Sequence, residues 1–147
     1  MTYYAVVDTN VVVSALLKDG SVPFQILEYI KAKKIIPLFN EDILLEYYEV
    51  LMRNKFEIPK EEVEKTISVF VNLGLKTDPV DVNEYFSDKD DVIFYQIVMS
   101  SRQKGEDSRL ITGNKKHFPP KEYVVTPAEM IEIINADLLE EKKKGTD

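Results

Sequence analysis

Tyr3-Tyr4-Ala5-Val6-Val7-Asp8-Thr9-Asn10-Val11 is the stretch whose reading decides the fold. A β-prone run from Tyr3 to Val7 stops at the polar triplet Asp8-Thr9-Asn10, and a helical pattern starts at Val11 and reaches about Lys18. A short apolar strand feeding a helix is the first half of a β–α unit, the element from which parallel sheets are built. The alternation recurs. Asp19-Gly20-Ser21 breaks the first helix, and Ser21 caps a second with Pro23 in its first turn and Phe24, Ile26, Leu27 and Ile30 along it. Ile35 to Phe39 reads as a second buried strand, against the preference of Pro37. A helix over 41–53 carries Ile43, Leu44, Tyr47, Tyr48, Leu51 and Met52 at three-to-four spacing. Pro59 opens another, with Val63, Ile67, Phe70 and Val71 on one face, and Gly74 ends it.

The second half continues the pattern. Asp78-Pro79 breaks the chain, and Ser87-Asp88 starts a helix bearing Val92, Ile93, Tyr95, Ile97 and Val98. After a turn at Gly105-Glu106-Asp107, Arg109 to Thr112 is a short strand. Pro119-Pro120 separates it from a last strand, Tyr123 to Val125, and Thr126-Pro127 opens a final helix through about Asn135. Strands alternating with helices predict an α/β fold, a three-layer α/β/α arrangement around a central, mainly parallel sheet. The expected domain is 1–137, followed by a charged tail, 138–147, that is frayed and solvated.

Composition bounds the chemistry. A chain of 147 residues is the size of one domain and needs no covalent staple. It holds no cysteine and one histidine, His117, so disulfides, thiolate sites and multi-histidine metal sites within the chain are excluded. No apolar run approaches a membrane span, and the N-terminus lacks the basic start of a signal peptide, which places the protein in the cytoplasm without a membrane partner. Asp+Glu number 26 against 19 Lys+Arg, for a formal charge of -7, and only Arg53, Arg102 and Arg109 are arginines. Binding nucleic acid by bulk electrostatics is thereby disfavoured. A carboxylate pocket for metal is not.

In open α/β sheets ligands bind outside the carboxyl ends of the strands. The residues at those ends are Asp8-Thr9-Asn10, Asn40-Glu41 and Thr112-Gly113-Asn114. Asp8 there either caps a helix or meets a partner or metal. Glu46 lies where an acidic stripe meets the apolar face of its helix, a place that, taken alone, a solvated surface explains better. Asp88, Asp90 and Asp91 crowd one helix start, and capping accounts for one or two of them. Acids converging on one pocket repel unless protonated or neutralised, and all-oxygen donors suit Mg²⁺ or Mn²⁺.

Four segments in order resemble the PIN domain, a small α/β nuclease fold: Val6-Val7-Asp8-Thr9-Asn10-Val11, Leu44-Leu45-Glu46-Tyr47, Asp88-Lys89-Asp90-Asp91-Val92-Ile93-Phe94-Tyr95, and Leu110-Ile111-Thr112-Gly113-Asn114 with Lys115-Lys116-His117-Phe118-Pro119 after it. The resemblance runs from about Tyr3 to Ile134. It implies a metal-dependent endoribonuclease similar to the VapC-type toxins, leaving a 3′-hydroxyl and a 5′-phosphate. By carry-over Asp8, Glu46 and Asp91 hold Mg²⁺ or Mn²⁺, with Asp88 and Asn114 as further donors, and Asp90 replaces Asp91 if the register slips by one. Thr9, Asn10 and Thr112 orient carboxylates or a phosphate, and a cognate antitoxin and a homodimer are the implied protein partners. Asn114 departs from the family, many of whose members carry a fourth acid there. Lys115 and Lys116, with Lys18 and His117 nearby, are the candidate contacts to an RNA substrate, although loop charge explains each singly. Tyr47, Tyr48, Phe94 and Tyr95 read as core or dimer contacts, and His117 is not needed as an acid–base group beside a metal-bound water. The competing readings are a PIN-fold binding module without catalysis and a phosphoacceptor receiver-like domain.

Overall fold

Ala5, Val6 and Val7 are all but inaccessible to solvent, which places the first strand at the middle of a sheet covered on both sides. The structure is a computed structural model and describes residues 1–145. In chain order the elements are β1 (Tyr3–Val7), α1 (Thr9–Leu17), α2 (Val22–Lys31), β2 (Ile35–Phe39), α3 (Glu41–Leu51), α4 (Lys60–Leu73), β3 (Leu75–Lys76), α5 (Val92–Gln103), β4 (Arg109–Ile111), β5 (Val124–Val125) and α6 (Pro127–Gly145). Short 3-10 turns lie at Asn54–Phe56, Lys89–Asp91 and Lys115–His117. The five strands run in the order β3-β2-β1-β4-β5, every pair parallel, with helices on both faces. This is the three-layer α/β/α architecture expected from the alternation.

The chain winds outward from β1 to β2 and β3, then returns to build β4 and β5 on the other side. The reversal lies between β1 and β4, whose register pairs Val6 with Leu110 and Val7 with Ile111. At such a switch point the connections leave in opposite directions and open a crevice at the strand ends. Whatever follows Val7 and Ile111 faces that crevice.

Pro37 sits inside a central strand without breaking it, for a geometric reason. Thr77 donates its N–H to the Phe39 carbonyl at 2.8 Å, so Phe39 faces β3, and Pro37, two residues earlier, faces the same way. The β2–β3 register begins only at Leu38 opposite Leu75, so the donor that proline lacks has no ladder partner to satisfy. Gly74 closes this corner. A Cβ on it would stand 2.4 Å from the Phe70 carbonyl and 2.5 Å from that of Pro37, both main-chain atoms.

Caps were legible and are made as expected: Ser21 accepts from the Phe24 amide, and Thr126 and Glu129 bond each other's amides in a capping box at the start of α6. In the core, the Tyr47 and Phe70 rings lie 4.9 Å apart and Tyr47 and Phe94 6.4 Å. Tyr47, Phe94 and Tyr95 are fully buried, as their expected core role requires, whereas Tyr48 is exposed. The buried Tyr47 hydroxyl donates to the Val7 carbonyl, tying α3 to the tip of β1.

Two elements differ from the sequence reading. β3 was not foreseen, because two exposed residues, Leu75 and Lys76, show no strand periodicity. The last helix passes Asn135 and reaches Gly145, since Leu138 to Lys144 are strong helix formers and two contacts hold it. The Tyr3 hydroxyl donates to Asp137 at 2.8 Å, and the Met1 ammonium lies 3.3 Å from Glu141. The expected frayed tail is therefore helical as far as Gly145, and its last two positions, 146 and 147, lie outside the described residues. No helix among the described residues is long and apolar enough to cross a membrane.

Gly74→Ala tests the corner where α4 meets β2. Overpacking against two carbonyls is expected to lower stability by about 1–3 kcal/mol, read as a shift in the urea midpoint. An unchanged midpoint would contradict the close approach.

Candidate active site

Asp8 occupies the N-cap position of α1, yet its carboxylate makes no cap bond. The backbone does that work, the Asp8 carbonyl accepting from Val11 and Val12 at 3.0 and 3.4 Å. Its own N–H donates to the Ile111 carbonyl at 2.9 Å, which extends the β1–β4 ladder by one residue and fixes where the side chain emerges. The carboxylate, 6% exposed, instead accepts the Thr112 hydroxyl at 2.7 Å across the switch point. Capping, one of the two readings open from sequence, is thereby excluded for the Asp8 side chain. Burial pushes the Asp8 carboxyl above its ordinary pKa, and the Thr112 bond only partly offsets that.

Asn40, at the tip of β2, does cap: its side chain accepts the Ile43 amide at 2.9 Å and starts α3. One and a half turns later Glu46 accepts the hydroxyl of the buried Thr9. Glu46 is half-buried, not a member of a solvated stripe, and its pKa is raised by burial and then by the charges of Asp8, Asp90 and Asp91. Those charges act on it because the three elements meet.

The acidic run before α5 divides by role. Asp88 accepts the Asp90 amide at 2.9 Å and caps the 3-10 turn, so local structure accounts for it. Asp90 is exposed. Asp91, at the junction with α5, makes no side-chain cap bond and its side chain is 15% exposed. Burial, then Asp8 and Asp88, push the Asp91 carboxyl from 3.8 to about 6, against a lowering pull from His117. Asp8 and Asp91 thus stand at helix starts without a side-chain cap bond, and the charge of Asp8 acts on Asp91.

Beyond these acids, Thr112 is wholly buried and also accepts the Asn114 amide N–H at 3.1 Å, while Asn10 is exposed. The Asn114 side chain lies 3.0 Å from His117 Nε2. Lys115 is engaged with Glu129, at 3.1 and 3.3 Å from its two oxygens, and Lys116 and Lys18 are exposed. Sequence reasoning set His117 aside, but its Nδ1 stands 3.6 Å from Asp91. The one available signal was its spacing, three residues past Asn114 in a basic turn.

The donor set is all oxygen, which matches a hard divalent cation. Among the described residues no group of three or more His, Asp or Glu side chains is arranged to hold a metal ion as it stands. What the geometry carries is the chemistry of the donors and their mutual repulsion rather than a formed coordination sphere. A family model described as PIN domain matches residues 4–116, a span that holds Asp8, Glu46, Asp91, Thr112 and Asn114. No curated protein matches the chain.

The raised carboxyls bind protons more tightly in the folded chain than in the unfolded one. Their contribution to stability therefore falls as pH rises from the unfolded Asp91 value of 3.8 towards about 6. In metal-free protein, Asp91→Asn should gain melting temperature over the parent as pH rises through this window, and match it below. A difference between the two proteins that does not grow with pH would contradict the coupling.

Proposed function

The chain belongs to the PIN domain family, and from that premise we propose that it is a metal-dependent endoribonuclease, the toxin of a toxin–antitoxin pair. PIN domains are typically nucleases that bind RNA and generally use divalent metal ions. One observation supports the assignment of the site: the Asp8 and Asp91 side chains make no cap bond at their helix starts, and the charge of Asp8 raises the pKa of both Glu46 and Asp91. Like charges gathered this way need a proton or a cation.

In this reading Asp8, Glu46 and Asp91 hold Mg²⁺ or Mn²⁺. Asp91 takes precedence over Asp90 because it is the half-buried one and feels Asp8, and over Asp88 because that carboxylate is committed to a cap. Such an ion, held there, would supply Lewis-acid polarisation of a phosphate and a lowered pKa for water. The chain does the positioning. Thr112 fixes the Asp8 carboxylate by donating to one of its oxygens, and Thr9 does the same for Glu46. Burial of Thr9, Thr112 and Asp8 keeps competing water from these hydroxyls. Lys116 meets the RNA backbone directly, and Lys115 exchanges the Glu129 carboxylate for a phosphate. An antitoxin segment of opposite charge would cover the acids, and the protein acts in the cytoplasm as a homodimer.

A second reading, a PIN-fold binding module without catalysis, has one observation in its favour: Asn114 brings no charge to the site. Cleavage decides between them. With Mn²⁺ and a mixed RNA substrate, Asp8→Asn should lose activity by about a hundredfold or more, beyond the ~10–100-fold typical of groups one step removed from a metal, while its melting curve stays cooperative. Equal cleavage by parent and variant would sink the nuclease assignment. Growth arrest on expression, relieved by the same substitution, tests the toxin role separately.

A further inference from the structure

The chain's only histidine is not part of the donor set, yet it closes a circuit between two of its members. Thr112 donates to Asp8 at 2.7 Å and accepts from the Asn114 amide at 3.1 Å. The Asn114 side-chain Nδ2 lies 3.0 Å from His117 Nε2, and His117 Nδ1 lies 3.6 Å from Asp91 Oδ2. The loop after β4 thereby links the acid at the tip of β1 to the acid at the start of α5. Nδ1 at that distance is in ion-pair range and longer than a formed hydrogen bond.

We propose that His117 is a positioning residue for Asp91, with Asn114 selecting the ring tautomer that turns an N–H toward that carboxylate. The argument is one of donors and acceptors. An amide nitrogen carries only hydrogens, so the Asn114 Nδ2 donates and His117 Nε2 accepts. The neutral ring then keeps its single proton on Nδ1, where it faces Asp91. The opposite tautomer would set two donors against each other at Nε2 and a lone pair against the carboxylate at Nδ1. An aspartate at 114 would accept a proton at Nε2 and reverse the preference. Asn114 is therefore the residue that makes His117 a directed donor to Asp91, which is a different office from that of an acid that has lost its charge. The role in catalysis rests on the nuclease reading. The tautomer does not.

The test begins with metal-free, nitrogen-15-labelled protein at alkaline pH. A single histidine gives a single ring in a long-range proton–nitrogen spectrum. The expected pattern is protonated Nδ1 and bare Nε2, reversing in Asn114→Asp. A parent ring already in the Nε2–H form overturns the proposal. Kinetics supply the second arm. His117→Asn keeps an N–H near the place of Nδ1 and should retain kcat within about threefold. His117→Gln keeps one near Nε2 and should lose kcat by roughly 10–100-fold, with KM for RNA unchanged. Equal losses in the two variants overturn the positioning role. A parent protein that cuts no RNA overturns the nuclease reading instead, and the tautomer alone then decides what His117 does.

Discussion

A carboxylate buried at the tip of the central strand is the constraint on which this structure turns. β1 carries Ala5, Val6 and Val7 through the core and delivers Asp8 into a position only 6% exposed. The backbone allows no retreat, since the Asp8 amide is bonded to Ile111 and its carbonyl to the first turn of α1. An ionised group in such a place demands compensation, and the Thr112 hydroxyl supplies only part of it. The remaining cost is compounded by bringing Glu46 and Asp91 alongside. Carboxylates gathered at a cost to folding stability are the pattern expected of a functional site.

How far the site could be read from sequence differs residue by residue. Asp8 was legible because a charge directly after an apolar strand marks the end of a sheet. Glu46 was ambiguous, since an acidic stripe on a helix looks the same whether or not one member turns inward. What distinguishes it is the hydroxyl of Thr9, 37 residues away in the chain. The resemblance ranked Asp91 ahead of Asp90, and the 3-10 turn at Lys89–Asp91 adds that Asp88 serves as its cap. His117 was set aside because a metal-bound water needs no acid–base histidine, and only the fold shows its ring beside Asp91 and Asn114. In the fold, caps and strand–helix alternation read clearly because they are local. β3 did not, because its identity as a strand comes only from its neighbour β2.

The formal charge of -7 takes on a more specific meaning in this setting. Some of the acid is concentrated where a cation can neutralise it, and a bound cation inverts the local potential that a phosphate meets. Of the two lysines nearest the site, Lys115 is already committed to Glu129 beside the cap of α6. In the proposed reading, a phosphate would reach Lys115 only by displacing the Glu129 carboxylate.

The first strand and the last helix meet at the opposite edge of the sheet. Tyr3 and Asp137 bond across a separation of 134 residues, and Met1 and Glu141 adjoin beside them. These two contacts close loops that take in nearly the whole chain, so each carries a large share of loop-closure entropy. Both contacts lie at the amino end of β1, and Asp8 stands at its carboxyl end. The tie that holds the last helix is therefore separated from the acids by the length of the central strand.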